Sequence, residues 1–308
     1  MPAVAKRRPM KKLASPKLQV LQASNLKKLP WLVHGFSTRP SGLSTCYGSK
    51  ALNLGFTKDD LPERVERNRS RLLLVLNAAT GKKAWPLITL RQVHSDLIHV
   101  IRSQPDQPLA GDGLITNLPN IALAIQTADC FPVLLVDPKH KAVGAFHAGW
   151  RGTLKRIVEK GLGLMRREYG TLPKDVYAAI GPGIGKCCYE VSEELKEQFD
   201  SQFSYSHELF HEVQESDAVR QKYPMLFLNK RAPGHGDMVI KLFLDLQEAN
   251  RRQLMSAGVP EKQITSLDEC TSCHPKRFFS HRSEKGKTGR MLAVIGVRDS
   301  AATRLVSK

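Results

Sequence analysis

Residues 121–152, IALAIQTADCFPVLLVDPKHKAVGAFHAGWRG, contain the clearest structural pattern in the chain. Three short apolar runs, Ile121–Gln126, Pro132–Val136 and Ala142–Phe146, have the length and composition of β-strands. The polar segment DPKH at 137–140 separates the last two runs and predicts a tight turn. The stretch therefore predicts an antiparallel hairpin in which the numbers of facing residues sum to about 277–278.

The open end of this hairpin brings two reactive side chains together. In the predicted register Cys130 lies beside His147, at the distance of about 5 Å that separates Cβ atoms of paired residues. Such a pair suits two ligands of one metal ion or a cysteine–histidine nucleophile pair. The spacing equally allows a buried cysteine beside a strand-end histidine, and it does not reveal a third ligand.

After His147 the chain passes two glycines and enters a predicted helix from Thr153 to about Tyr169. The start of a helix offers free N–H groups and a partial positive charge. Because Arg151 directly precedes this helix, we expect the helix start to be suited to binding phosphate.

The rest of the chain interleaves further strands and helices. Predicted strands are Trp31–Phe36, Ile98–Arg102, Val176–Ile180 and Ile240–Leu244, predicted helices are Pro62–Asn77 and Asp245–Ala257, and Phe278–Ser283 with Arg290–Val297 form a predicted closing hairpin. Several links between strands are too short for crossovers, so they must join antiparallel strands. The sequence therefore predicts a single α+β domain with mixed sheets flanked by helices.

The chain has 308 residues and a net charge of +18, and its composition is that of a globular protein. Residues 1–28 carry eight Lys and Arg residues and no acidic residue. We therefore predict a basic, disordered tail at 1–29 and a catalytic domain at 30–300. Nucleic acid would be contacted only through this tail. No apolar run approaches the roughly 20 residues of a membrane helix, and no secretory signal is evident, so we expect a cytoplasmic protein without membrane contact.

Two further motifs look like metal sites. HELFH at 207–211 matches the zinc-protease pattern HExxH, but it lies in a segment, 201–238, that we interpret as variable and without a third ligand. CTSCH at 270–274 matches a c-type haem attachment site, which requires export. A zinc site there would need a second cysteine pair, and the adjacent Cys187 and Cys188 have the wrong spacing. The sequence therefore predicts no second metal site.

Short motifs spread along the chain form a specific combination. They are HGFSTR at 34–39, LNLG at 52–55, QVH at 92–94, GDG at 111–113, TADC at 127–130, HAGWRG at 147–152, YEV at 189–191, LDL at 244–246, CT at 270–271 and TGR at 288–290. From about Trp31 to Val297 the chain thereby resembles the YfiH/LACC1 family, whose members are described both as multicopper polyphenol oxidases and as purine nucleoside phosphorylases.

The resemblance implies that His94, Cys130 and His147 bind one zinc ion. It also implies a fold of four layers, with sheets inside and helices outside. It also implies phosphorolysis of adenosine, inosine and methylthioadenosine, with adenosine deamination in some members. One branch of the family is credited with editing misbuilt peptidoglycan precursors. Two imidazoles and a thiolate leave a coordination position open, as in catalytic zinc sites.

Phosphorolysis also needs cations for the phosphate and polar groups for the ribose. Arg151 at the helix start, together with Arg39 and Arg69, is a candidate phosphate ligand. Asp112 and Asp129 are candidate proton carriers or ribose ligands, and each also fits a carboxylate that caps a turn.

Three other functions stay open. A His₂Cys site suits copper, which would allow phenol oxidation, but laccases use HxH pairs and none of the ten histidines forms one. Cys130 and His147 without metal would form the nucleophile pair of a hydrolase. A basic nucleic-acid-binding protein is the non-enzymatic alternative, and the chain has no RRM, KH or zinc-finger signature.

Overall fold

The structure is a computed structural model, which describes residues 18–214 and 240–299. The strands in these residues are β1 (Val20–Leu21), β2 (Leu32–Ser37), β3 (Ala79–Thr80), β4 (Lys83–Ala84), β5 (Leu87–Ile88), β6 (Leu90–Arg91), β7 (Ile98–Val100), β8 (Leu109–Ala110), β9 (Gly113–Thr116), β10 (Ala122–Thr127), β11 (Phe131–Asp137), β12 (Ala142–Ala148), β13 (Tyr177–Ile180), β14 (Glu190–Val191), β15 (Phe210–Gln214), β16 (Ile240–Leu244), β17 (Ile264–Ser266) and β18 (Met291–Val297). The helices are α1 (Pro62–Val75), α2 (Trp150–Leu154), α3 (Ile157–Tyr169), α4 (Glu193–Asp200) and α5 (Leu246–Ser256), with short 3-10 helices at Pro173–Asp175, Ser206–Glu208 and Glu261–Gln263.

Two sheets pack face to face at the centre of the molecule. One has the strand order β1-β2-β18-β10-β5 and the other the order β17-β13-β11-β12-β9-β7. Ile125 and Ile295 of the first sheet pack with Leu134 and Val143 of the second in the core between them. Each sheet contains both parallel and antiparallel pairs, for example β10 with β5 and β10 with β18. The predicted mixed sheets are confirmed.

Helices cover the outer face of each sheet. Leu72 of α1 packs with Val294 on the five-stranded sheet. On the six-stranded sheet, Val158 of α3 and Leu254 of α5 pack with Phe146. Apolar side chains spaced at helical intervals are thereby removed from water on one face only. The expected four-layer α+β domain, with sheets inside and helices outside, is confirmed.

Strands β11 and β12 form the predicted central hairpin, but in a slightly different register. Phe131 faces Ala148 and Asp137 faces Ala142, so the numbers of facing residues sum to 279. The turn therefore consists of residues 138–141, one position later than the predicted DPKH segment. Inside it, Asp137 Oδ1 accepts hydrogen bonds from the backbone N–H groups of Lys139 and His140.

The new register changes how Cys130 approaches His147. Pro132, not Cys130, stands opposite His147. Successive side chains of a strand alternate between its faces, so Cys130, two residues before Pro132, approaches from the same face as His147. The two side chains are thus diagonal rather than direct neighbours.

The helix predicted from Thr153 to Tyr169 is instead two helices, α2 and α3. Arg156 lies between them with φ = 60°, a left-handed conformation that interrupts the helix. Its guanidinium is held by Glu159 at 3.0 Å and by the carbonyl of Gln202 at 2.7 Å. Helix α2 begins at Trp150, before the predicted start, and ends at Leu154, while α3 begins at Ile157.

Part of the predicted basic tail is folded. Residues 18–29 belong to the domain, not to a disordered tail, because apolar residues lie between the lysines. β1 pairs with β2, and Ala23 and Leu26 are fully buried. Residues 1–17 of the predicted tail, and residues 215–239 of the predicted variable segment, lie outside the described residues.

The predicted closing hairpin does not form. Phe278–Ser283 is made of turns, and β18 pairs with β2 and β10 instead. The consecutive Phe278 and Phe279 are both fully buried, in a cluster with Tyr47 and Met291. An extended strand would send two successive side chains to opposite faces, so it could not bury both in one small cluster.

In the described ranges, no helix has the length and apolar character needed to span a membrane.

Gly161→Ala should destabilise the protein although alanine is the better helix former. A Cβ atom on Gly161 would collide with the ring of Phe146, whereas one on Gly163 of the same helix would meet open space. We expect Gly161→Ala to lower the free energy of unfolding in urea by about 1–3 kcal/mol. The matched Gly163→Ala should raise it by up to about 1 kcal/mol. Changes of the same sign in both variants would contradict this packing.

Candidate metal centre and cavity

His94, Cys130 and His147 meet at the open end of the β11–β12 hairpin. Their ligand atoms, the ring nitrogens and Sγ, all lie within 4.8 Å of one another. His147 comes from the end of β12, Cys130 immediately precedes β11, and His94 lies in the loop that follows β6. The two imidazole rings are edge to face, with 4.9 Å between their centroids. The three predicted ligand residues are therefore neighbours in space.

The close approach of these side chains depends on Gly149. A Cβ atom at this position would lie 2.9 Å from Cys130 Sγ and 3.4 Å from a ring carbon of His94. Only glycine lets the backbone after β12 pass this close to the cluster. This contact gives a physical reason for the first glycine of HAGWRG.

The buried carboxylate of Asp112 holds both histidines. Its Oδ1 accepts a hydrogen bond from His147 Nδ1 at 2.8 Å. The same carboxylate accepts the backbone N–H groups of Val93, His94 and Ser95 at 3.2, 3.1 and 2.6 Å. These bonds hold the loop in which His94 has a left-handed φ of 56°. Asp112 therefore fixes the ring of one histidine and the backbone of the other.

This arrangement changes the role expected for Asp112. The residue is fully buried, and a further bond from the Ser95 hydroxyl adds to those from the backbone. Burial alone would raise the pKa of Asp112, but the hydrogen bonds from His147 and Ser95 hold it well below its usual range. Asp112 is fully buried and lies outside the cavity lining, so its geometry favours a positioning role over that of a proton carrier.

Cys130 and His147 stabilise each other's charged forms. Burial raises the pKa of the Cys130 thiol, but the positive charge and hydrogen bond of His147 outweigh it and lower that pKa to about 6. Burial lowers the pKa of His147, but the Cys130 thiolate and Asp112 raise it to about 9. Cys130 is thus largely thiolate at neutral pH, which is the form that binds metals.

The donor set fits a zinc ion. Because Asp112 accepts a hydrogen bond from Nδ1–H of His147, the Nε2 atom of that ring is left for a metal. A carboxylate that orients a ligand histidine in this way is a common feature of zinc sites. Together with the thiolate of Cys130 and the imidazole of His94, the set leaves one coordination position for a substrate or water.

The three residues open onto a cavity of about 750 Å³. The side chains around it fall into an aromatic group, a cationic group and the candidate metal ligands. The lining residues are Phe56, Arg69, Thr89, Leu90, Arg91, Gln92, His94, Pro108, Gln126, Ala128, Asp129, Cys130, His147, Trp150, Ile184, Tyr189, Leu246, His281, Arg282 and Arg290. Such a volume is that of a small-molecule site.

Arg69 gives the cavity a half-buried positive charge. Its Nε donates to the carbonyl of Leu54 at 2.8 Å, and its guanidinium lies 4.4 Å from the ring centroid of Phe56. Among residues 18–214 and 240–299, nothing accepts a hydrogen bond from its buried Nη2 atom. Burial lowers the pKa of Arg69 to about 10, which still leaves it charged at neutral pH. A half-buried cation with an unused donor is suited to an anionic ligand.

The other two predicted arginines lie elsewhere. Arg39 bonds Glu284 at 3.0 Å and the carbonyls of Tyr47 and Pro275, so its charge is used within the fold and outside the cavity lining. Arg151 is exposed and stacks on the outer side of Trp150, 4.1 Å from its ring centroid. Arg151 therefore lies beside the cavity without lining it.

Asp129 does line the cavity, with φ = 92°. Its Oδ1 accepts from the Thr271 hydroxyl and its Oδ2 from the backbone of Arg282, each at 2.7 Å. Each carboxylate oxygen has a further lone pair for a ligand. The residue thus stabilises a turn and also lines the cavity, so its position is compatible with both interpretations left open.

Sequence reasoning missed the aromatic wall and part of the cationic wall. Trp150 and Arg290 belong to motifs quoted above, HAGWRG and TGR, yet spacing alone assigned them no role. No sequence pattern distinguishes Phe56 from other aromatic residues in exposed loops.

The HELFH motif at 207–211 runs from a 3-10 helix into β15, so its histidines do not share a helical face.

Comparisons with known proteins agree with this geometry. A family model described as multi-copper polyphenol oxidoreductase laccase matches residues 33–298. A purine nucleoside phosphorylase of Deinococcus radiodurans is 36% identical over 290 residues, covering 92% of this chain and 95% of that protein. Purine nucleoside phosphorylase YlmD of Geobacillus stearothermophilus is also 36% identical, covering 87% and 95%. The solved structure of the hypothetical protein YfiH of Bacillus licheniformis has a TM-score of 0.74 at 30% identity, covering 93% of this chain and 98% of that one. The chain therefore belongs to the laccase-like family that includes the YfiH and LACC1 proteins.

Proposed function

We propose that this protein is a zinc-dependent purine nucleoside phosphorylase. The observation that carries the proposal is one cavity lined both by the His94, Cys130 and His147 cluster and by Arg69, whose buried Nη2 atom has no partner in the described residues. A metal site alone would suit many reactions, whereas phosphorolysis also needs a site for phosphate. The names of the two bacterial relatives support the same reaction.

His94, Cys130 and His147 would hold the zinc ion. When bound, zinc supplies a Lewis acid that stabilises negative charge on a neighbouring ligand. Asp112 keeps the proton of His147 on Nδ1, so the ring presents Nε2 without adjustment. The thiolate of Cys130 reduces the net charge of the site and favours zinc over harder cations.

Phosphate would bind on the cationic side of the cavity. Arg69 offers its free Nη2 atom, and Arg290 adds a second guanidinium to the lining. Two carbonyls, of Thr288 and Gly289, accept bonds from Arg290 Nη1 at 3.0 Å and hold that side chain in place. We assign the primary phosphate contact to Arg69 and leave Arg151 as a secondary contact at the rim.

The nucleoside would bind between the aromatic side chains and Asp129. Phe56, Trp150 and Tyr189 offer ring faces for a purine. The carboxylate of Asp129 can accept a hydrogen bond from a ribose hydroxyl. In the reaction a phosphate oxygen bonds to C1′ while the C1′–N9 bond breaks, and the purine leaves with that electron pair and takes up a proton. The residues contribute by orienting both reactants in the cavity.

Adenosine, inosine and methylthioadenosine are the substrates we propose, and adenosine deamination is a second activity that a metal-activated water would permit. A multicopper oxidase is less well supported. Such an oxidase needs several copper ions bound by histidines. Of the two groups of potential ligands in the described residues, one contains histidine and the other consists of cysteine alone. The Cys130–His147 pair would remain a nucleophile pair if no metal bound, so the metal requirement separates these two mechanisms.

The purified protein should cleave purine nucleosides only when phosphate is present. Chromatography of reactions with adenosine, inosine and methylthioadenosine should show free base and sugar 1-phosphate. Cys130→Ala and His147→Ala should lose one zinc ion and at least about 100-fold in rate, since each removes a metal ligand. The exposed Cys46 lies outside the site, and Cys46→Ala should keep both metal and activity. A rate of nucleoside cleavage that does not depend on phosphate, or full activity in metal-free Cys130→Ala, would refute the proposal.

Arg69→Lys should weaken phosphate binding. Lysine cannot keep the bond to Leu54 and also reach the ligand with a second N–H of the same planar group. We expect the KM for phosphate to rise about tenfold, a loss of roughly 1.4 kcal/mol, with a smaller rise for Arg151→Lys. Arg39→Lys should lower the melting temperature and leave this KM unchanged. A large effect at Arg151 with none at Arg69 would move the phosphate site to the start of α2.

Asp112→Asn should lower the affinity for zinc by about 10–100-fold, because the ligand histidine loses its charged partner. The matched control is Asp137→Asn, at the opposite end of the same hairpin. It too is fully buried, and its Oδ2 bonds His140 Nδ1 at 2.7 Å. Competition with a chelator should show weaker zinc binding in Asp112→Asn only, while both variants lose thermal stability. Equal zinc affinity in the two variants would show that Asp112 merely supports the fold.

A further inference from the structure

Four cysteines that the nucleoside site does not use form a second compact cluster. The Sγ atoms of Cys187, Cys188, Cys270 and Cys273 all lie within 4.8 Å of one another. Cys273 Sγ is 3.4 Å from the Sγ atoms of both Cys187 and Cys188. The adjacent positions of Cys187 and Cys188 predicted no second metal site, but in the folded chain their thiols meet those of Cys270 and Cys273.

A tight turn points the two adjacent cysteines to one side. The backbone N–H groups of Cys188 and Tyr189 both donate to the carbonyl of Gly185, at 2.9 and 3.0 Å. Cys270 and Cys273 lie in the loop after β17, which runs alongside this turn. Gly183 and Cys270 form an isolated parallel β-bridge, and Gly185 N donates to Cys270 Sγ at 3.3 Å. The two loops therefore bring two thiols each to one point.

We propose that Cys187, Cys188, Cys270 and Cys273 bind a structural zinc ion. Zinc–sulfur bonds of about 2.3 Å in a tetrahedron place the sulfur atoms about 3.8 Å apart. The separations of 3.4 to 4.8 Å bracket this value. Four protein thiolates leave no coordination position open, as in structural rather than catalytic sites.

Disulfides explain the cluster less well. A disulfide needs sulfur atoms about 2.05 Å apart. One disulfide bond would use only two of the four thiols and would not explain why the other two lie beside them. Both Cys187 and Cys188 approach Cys273 equally, as ligands around one ion do and as a single covalent pair does not. The partial exposure of the cluster leaves the metal a path for entry.

The zinc ion would stabilise one wall of the cavity. The loop with Cys187 and Cys188 also carries Ile184 and Tyr189, both in the cavity lining. The other loop carries Thr271, whose hydroxyl holds Asp129 at 2.7 Å. Linking the loops through a metal would restrict the conformations open to that wall, without any contact between the metal and the substrate.

Metal analysis of matched variants tests this proposal directly. The wild-type protein and Cys46→Ala should contain about two zinc ions per chain, one for each group of ligands. Cys187→Ala/Cys273→Ala should contain one fewer, and Cys130→Ala should still contain the ion held by the four cysteines. An unchanged zinc content in the double variant would overturn the proposal, whatever the outcome of the nucleoside assays.

Thiol titration of the wild-type protein provides a second test that does not depend on the folding of a variant. After denaturation with a chelator and without reductant, we expect all six cysteines to react. Before chelation, the four cluster thiols should react slowly, and a mercurial that modifies them should release zinc in a ratio of about four thiols to one ion. Only four reactive thiols after denaturation would indicate a disulfide and contradict the zinc site.

Discussion

The carboxylate of Asp112 is the interaction on which the candidate site depends. It is fully buried, and its oxygens accept bonds from a strand-end histidine and from three successive backbone N–H groups. A buried charge without such partners would cost several kcal/mol, so the carboxylate and its donors must assemble together. Because those donors belong to β12 and to the loop after β6, their assembly brings His94 and His147 to Cys130.

The fold supplies the rigid frame for this assembly. The β11–β12 hairpin lies in the middle of the six-stranded sheet, with apolar cores on both faces. Its turn end is closed by Asp137, and its open end carries the metal ligands. Of the three ligands, His147 lies in a central strand of this sheet, whereas Cys130 precedes β11 and His94 lies in a loop held by Asp112. Loops supply most of the cavity lining, and loops are the parts that differ most easily between relatives.

The sequence predicted the parts of the site that depend on local pattern. Apolar runs and a polar turn identified the hairpin, and the hairpin paired Cys130 with His147 to within one or two positions of the observed register. What depends on contacts between distant segments could not be read in this way. Arg39 and Arg69 look alike in sequence, but one is bonded within the fold and the other has a donor free in the cavity. The four-cysteine cluster likewise depends on two loops that meet only in the folded chain.

Crystals of the protein with zinc, phosphate and a nucleoside, measured at the zinc absorption edge, would test the central claim most directly. The claim is that one cavity holds both the metal and the phosphate. The account predicts an anomalous peak about 2.0–2.3 Å from Cys130 Sγ and from a ring nitrogen of His94 and His147. It also predicts a phosphate that accepts a hydrogen bond from Arg69 Nη2 in the same cavity. Zinc-loaded crystals with no peak among these three residues, or with phosphate bound away from Arg69, would contradict it.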